Sequence, residues 1–187
     1  VLELASKRPS REGLLTIAQE SSSVADLCID LEKRAKTSLQ GRTAAVEFLT
    51  WLLDNLHLVP YGREGRNRAT IEACLFQILR GFPMISEIPN SSWALIDLAA
   101  NEELRPPVGS EHTLLLDTRD FPAEGEDSAS SLIVLAYQRG WKHVLSFDWC
   151  GQRFCGCGLG PHSEGFRIDV FGNPGDYLGS GLDGTEI

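Results

Sequence analysis

Residues 149–187 read WCGQRFCGCGLGPHSEGFRIDVFGNPGDYLGSGLDGTEI, and two copies of one pattern lie inside them. Phe154-Cys155-Gly156-Cys157-Gly158-Leu159 aligns with Tyr177-Leu178-Gly179-Ser180-Gly181-Leu182 at an offset of 23 residues. Apolar positions upstream keep that offset, with Leu145 over Ile168 and Phe147 over Val170. A fixed period in this range marks stacked repeats, each burying its apolar face against the next. Glycine suits the corners of such coils, which turn through positive φ and lie close together. The spacing predicts that Gly156, Gly158, Gly179 and Gly181 occupy equivalent corners and that Phe154 stacks on Tyr177. Ile168, Val170, Leu182 and Ile187 are the expected inward residues.

The same residues carry a family resemblance. GQRFCGCGL at 151–159 and IDVFGNPGDYLGSGLDGTEI at 168–187, with the preceding segment from Leu114, resemble the GXGXG domain of the glutamate synthase large subunit. Related β-helical domains occur in a subunit of formylmethanofuran dehydrogenase. The resemblance spans roughly residues 112–187. It implies a right-handed β-helix with an architectural role in an amidotransferase-oxidoreductase. In that family the nucleophilic cysteine, the flavin and the iron-sulphur cluster belong to other domains. The resemblance therefore transfers no catalytic, cofactor-binding or metal-binding residue and no cofactor to this chain. The implied partners are other subunits or domains of a larger complex, or further copies of the chain.

Working outward, the 187 residues are 42% hydrophobic and 23% charged, the balance of a globular protein of one or two domains. The net charge is −9, and most of it falls from Glu111 onward, where twelve acidic residues face five basic ones. Such an acidic surface repels phosphates and argues against nucleic-acid binding. No apolar run reaches membrane-spanning length. VLELASKRPS lacks the order of a secretory signal, and the chain opens without Met and stops inside a repeat, which reads as a piece of a longer polypeptide. The five cysteines, Cys28, Cys74, Cys150, Cys155 and Cys157, are odd in number and argue against a disulfide framework. Reduced thiols place the chain in the cytoplasm.

Periodicity assigns helices to the first 105 residues. Leu14, Leu15 and Ile17 form a short apolar pattern. Val24, Leu27, Cys28 and Leu31 follow Ser21-Ser22-Ser23 at i, i+3, i+4, i+7. Lys33, Arg34 and Lys36 suit the end of that helix. A second helix is expected from Thr43 to Leu56 and a third over Ile71–Leu79. A fourth is expected around Trp93, Ile96, Leu98 and Ala99, stopped by Pro106-Pro107. RPPVGS at 105–110 marks the boundary, with a linker at 106–111 between a helical domain, 1–105, and a second domain, 112–187. There, a strand from His112 to Leu116, a helix from Ser128 to Gln138 capped by Asp127 or Ser128, and a strand from Val144 to Trp149 make one βαβ unit. The fold expected is α+β, with a helical unit and a βαβ element leading into the first coils of a glycine-rich β-helix.

Five groups of residues bear on chemistry. Cys150, Cys155, Cys157 and His162 are the residue types that hold zinc or iron, yet C-x4-C-x-C is not a usual structural-zinc spacing. Cys155 and Cys157 also align with Leu178 and Ser180, as packing residues would. Gly156-x-Gly158-x-Gly160 lacks the spacing and following helix of a dinucleotide loop. Arg63, Arg66 and Arg68 precede a helix and form a candidate anion-binding loop. Asp117, Asp120, Glu124, Glu126 and Asp127 make an acidic loop, read as solvated. His57, His112, His143 and His162 are scattered and read as structural. The favoured function is a non-catalytic assembly domain. The rivals are a small metal- or thiol-dependent enzyme at the Cys150–Cys157 turn and an anion-binding module at the Arg63–Arg68 loop.

Overall fold

The computed structural model describes residues 23–59, 64–87 and 92–187. The expected pattern at Leu14–Ile17 and the stop signals Pro60 and Gly62 lie outside the described residues. The chain forms two compact units, Val1–Gly81 and Phe82–Ile187.

The first unit is helical. Helix α1 (Val24–Ala35) is capped by Ser23, whose hydroxyl accepts from the Asp26 amide. Its buried residues, Val24, Leu27, Cys28 and Leu31, are those of the sequence pattern. Helix α2 (Leu39–Asp54), capped by Ser38, starts four residues before the expected Thr43. It buries Val46, Leu49, Leu52 and Leu53. Helix α3 (Glu64–Leu79) begins seven residues before Ile71 and buries Ile71, Cys74, Leu75 and Leu79. The three helices pack on one another, as helices of this length must to persist.

The second unit is a mixed α/β structure on a four-stranded, wholly parallel sheet. Its strands are β1 (Trp93–Ile96), β2 (Thr113–Asp117), β3 (His143–Cys150) and β4 (Arg167–Asn173), in the order β1-β2-β3-β4. Helix α4 (Ala129–Gln138) connects β2 to β3, which gives the βαβ unit read from the sequence. Ser128, not Asp127, is its cap and accepts from the Ser131 amide. The inner face of α4, with Ala129, Leu132, Ile133 and Ala136, packs in one core with Leu114, Leu116, Val144, Ile168 and Trp141. A buried ion pair closes the amino side of β2. Arg105 donates both of its terminal nitrogens to the Glu111 carboxylate at 2.6 and 3.0 Å, and the Val108 amide donates to the same carboxylate at 2.9 Å.

Three expectations need correction. The fourth helix is instead β1 followed by a 3₁₀ turn, Leu98–Glu103. A four-residue strand buried over its last three positions shows no alternation, so WALIDLAA reads equally well at helical spacing. Because β1 pairs with β2 in register Trp93↔Thr113, residues 82–105 belong with the sheet, and 106–111 is an internal loop of the second unit and not a linker. The register of β3 on β4 also differs by one. Val144 pairs with Ile168 and Ser146 with Val170, and a bulge between Ser146 and Trp149 then restores the 23-residue step at Trp149↔Gly172.

Candidate functional site

In open parallel sheets the loops at the carboxyl ends of the strands build sites. Here two such loops meet. The first runs from Asp117 to the Ser128 cap, and the second follows β3 through Gly151–Gly158. Gln152 ties them together: its amide donates to the Thr118 carbonyl at 2.9 Å, and its side-chain oxygen accepts from the Cys150 amide at 2.7 Å. The Arg153 amide donates to the Ala123 carbonyl at 2.8 Å, and the Ser130 hydroxyl donates to the Arg153 carbonyl. An open cavity of about 370 Å³ lies against this seam, lined by Ser128, Ser131, Phe154 and Cys157 among others.

The cavity's polar groups already have partners. Ser128 caps α4, and Ser131 donates to the Gly125 carbonyl at 2.9 Å. Cys157 donates its thiol proton to the Tyr177 carbonyl at 2.9 Å, a backbone group and not a general base. The three cysteines of the turn differ in environment: Cys150 is exposed, Cys157 half-buried and Cys155 buried in the core. Burial pushes the Cys155 thiol up to about 12, helped by Cys157 beside it, so it stays protonated. Among the described residues no three His, Cys, Asp or Glu converge as metal ligands. The acidic loop is similarly dispersed. Asp117 is buried against Arg119, Glu124 pairs with Arg153, and Asp120, Glu126 and Asp127 are exposed.

Beside the seam, residues 23 positions apart lie against each other. The Phe154 and Tyr177 rings stack at 5.0 Å with 4° between their planes, as the spacing predicts. Both take left-handed backbone conformations, φ 64° and 67°, which side chains other than glycine's rarely adopt. Gly156 and Gly179, then Gly158 and Gly181, repeat the positive φ at the same step. The guanidinium of Arg153 lies 5.2 Å from the centre of the Phe154 ring and 5.5 Å from that of Tyr177. It also pairs with Glu124 at 3.0 Å and Asp176 at 3.6 Å, so one cation holds loop, ring stack and second segment together. Backbone bonds continue the match: Gly175 to Gln152, Phe154 to Asp176 and Gly179 to Cys155.

The amino edge holds a cluster that sequence reading scattered. His112 Nδ1 is 2.8 Å from the Thr113 hydroxyl, and that hydroxyl is 3.0 Å from His143 Nδ1. His143 Nε2 is 2.8 Å from Asp169, which also accepts two bonds from Arg167 at 2.8 and 2.9 Å. Burial works against the charged Asp169, but His143 and then Arg167 hold its carboxyl below the usual value. Thr113, His143 and Arg167 open three neighbouring strands in register. Only that register unites residues so far apart in the chain. The one available signal is that a polar residue opens each of the three strands.

Of the arginine loop, Arg63 lies outside the described residues. Arg66 and Arg68 sit in the first turns of α3, exposed, with Arg68 paired to Glu72 at 3.4 Å. They decorate the polar face of a helix and do not form a loop before one. The described residues contain no helix long and apolar enough to cross a membrane. Comparison of the chain with protein-family models, curated proteins and solved structures gave no match.

Proposed function

We propose that this chain is a non-catalytic assembly module, in which a βαβ element starts a glycine-rich β-helix of the glutamate synthase type. The observation that carries the reading is the Phe154–Tyr177 stack at the 23-residue step, with left-handed backbone on both residues. Isolated parallel bridging of Arg167 to Glu186 agrees with it, because it places a further segment beside β4 in chain order. The resemblance of 112–187 to the GXGXG domain supports the same reading from sequence. In such a module, stacked coils give a rigid, extended surface on which catalytic domains are held at fixed separation. The partners are then the flavin- and iron-sulphur-bearing parts of an amidotransferase-oxidoreductase.

A thiol enzyme is the second reading, and Cys157 beside the cavity is what favours it. One experiment separates the two. The protein is isolated from its native cell under mild conditions, and its stoichiometric partners are identified by mass spectrometry. A flavin-containing glutamate-forming assembly, unaffected in activity by Cys157→Ala, is the expected result. A solitary chain that hydrolyses esters or thioesters, and stops when Cys157 is alkylated, overturns the proposal.

A further inference from the structure

The helical unit contains a second pair of sulphur atoms that the assembly reading leaves unused. Cys28 lies on the inner face of α1 and Cys74 on the inner face of α3, and both are buried, at 5% and 3% exposure. The Cys74 thiol donates to the Cys28 carbonyl at 3.6 Å across a separation of 46 residues. The Cys28 thiol reaches back to the Thr70 carbonyl, one turn before Cys74, at 3.9 Å. Helices packed about 8–10 Å apart bring facing Cα atoms within about 6 Å, inside the range a disulfide spans. No other described part of the chain has two thiols interleaved in this way: Cys155 is sealed in the core of the second unit and Cys150 is exposed.

We propose that Cys28 and Cys74 form a reversible dithiol site that low-molecular-weight disulfides oxidise, stapling α1 to α3.

The two sulphurs have different roles. The Cys74 thiol beside it holds the Cys28 thiol below its usual value, against burial and the nearby Glu32 carboxylate. The same neighbour, with burial, pushes Cys74 up. Cys28 is therefore the attacking thiol. Its thiolate attacks one sulphur of the small disulfide RSSR; that S–S bond breaks, and RS⁻ leaves and takes up the proton released by Cys28. Cys74 then loses its proton to a second departing RS⁻ as its sulphur attacks the mixed disulfide on Cys28. Two electrons pass from the protein to RSSR, and the products are one Cys28–Cys74 disulfide and two RSH. Access comes from opening of α1, a twelve-residue helix whose outer face, with Ile29 at 49% exposure, is open to water. The disulfide closes a long loop and so restricts the unfolded chain, which favours the closed arrangement of the helices.

The test exposes the intact chain to oxidised glutathione at graded urea concentrations below the unfolding transition. Remaining thiols are then alkylated and the peptides mapped. The expected result is a cross-linked peptide joining Cys28 to Cys74 and a loss of two mass units. Melting of the oxidised form should rise by roughly 10 °C, reversed by dithiothreitol. A variant with Cys150, Cys155 and Cys157 all changed to Ala should still form the cross-link, and Cys28→Ser should not. If that triple variant fails to fold, the peptide map of the unaltered chain decides alone. Stable glutathione adducts on Cys28 without the cross-link, or both thiols remaining reduced while Cys150 reacts, overturn the site. Neither result bears on the coil reading of residues 149–187.

Discussion

Segments 149–160 and 172–183 share a glycine pattern and a backbone trace, yet their side chains live in different surroundings. Cys155 is 1% exposed, and its counterpart Leu178 is 45% exposed. Phe154 is half-buried, whereas Tyr177 is 54% exposed. The first segment is bonded on one side to Ala123 and Ser130 and on the other to Asp176 and Gly179. The second segment bonds to the first and, through the Asp183 carbonyl, to Ser163. The lesson is that left-handed residues set the path of the backbone, while burial is set by what packs against each segment. A small thiol suits the enclosed site, and a leucine occupies the same place where the site is open.

The largest effect should come where the two segments touch. Gly172 has φ 110°, and a Cβ there would lie 2.6 Å from the Trp149 nitrogen and 2.8 Å from its oxygen. Backbone cannot yield as a side-chain tip can, so Gly172→Ala should cost about 3–5 kcal/mol. Urea unfolding followed by tryptophan fluorescence measures it, and a loss under about 1 kcal/mol would mean the segments are not in close contact. Truncating the stacked rings sharpens the comparison next. Phe154→Ala should lower stability by about 2–3 kcal/mol and Tyr177→Ala by about 1 kcal/mol, since less of the latter ring is removed from water. Equal losses would erase the distinction between the segments.

The counterpart pair at the next position should differ in the same sense. Cys155→Ser places a hydroxyl in an apolar core and should cost about 1–2 kcal/mol, while Leu178→Ser should stay within about 0.5 kcal/mol. Acid provides the mildest probe. Asp169 belongs to β4 and is held by His143 of β3, with Arg167 on the same carboxylate and Thr113 and His112 beyond. Its folded-state value lies below the unfolded 3.8, so its contribution is complete above that pH and is lost as pH falls through the folded value. Protection of the β4 amides, expressed relative to the unprotected chain at the same pH, should therefore fall on acidification from about pH 5 to pH 2, and more than protection in β1. Asp169→Asn should show weaker β4 protection at pH 5 and a smaller response to acid. An unchanged response would place the acid-sensitive group elsewhere.

Much of this arrangement is legible from residue order. The αR pattern of α1, the Ser128 cap, the run Val144–Trp149 and the stacked rings all rest on local spacing, which a chain displays openly. What escaped rests on pairing. Trp93–Ile96 needs β2 beside it to be a strand, because its apolar residues are also compatible with a helix turn. The bulge after Ser146 moves the register by one residue without any residue type that announces it. The line from His112 to Asp169 exists only once three strand starts are aligned. The three cysteines at 150–157 share a spacing but not an environment, which no count of intervening residues can reveal.

The strands stand in the sheet in the order in which they occur in the chain. Every parallel partner of a new strand has thus already been made when that strand leaves the ribosome. The sheet can be laid down progressively from β1 during synthesis, with no early strand waiting, edge exposed, for a neighbour encoded much later.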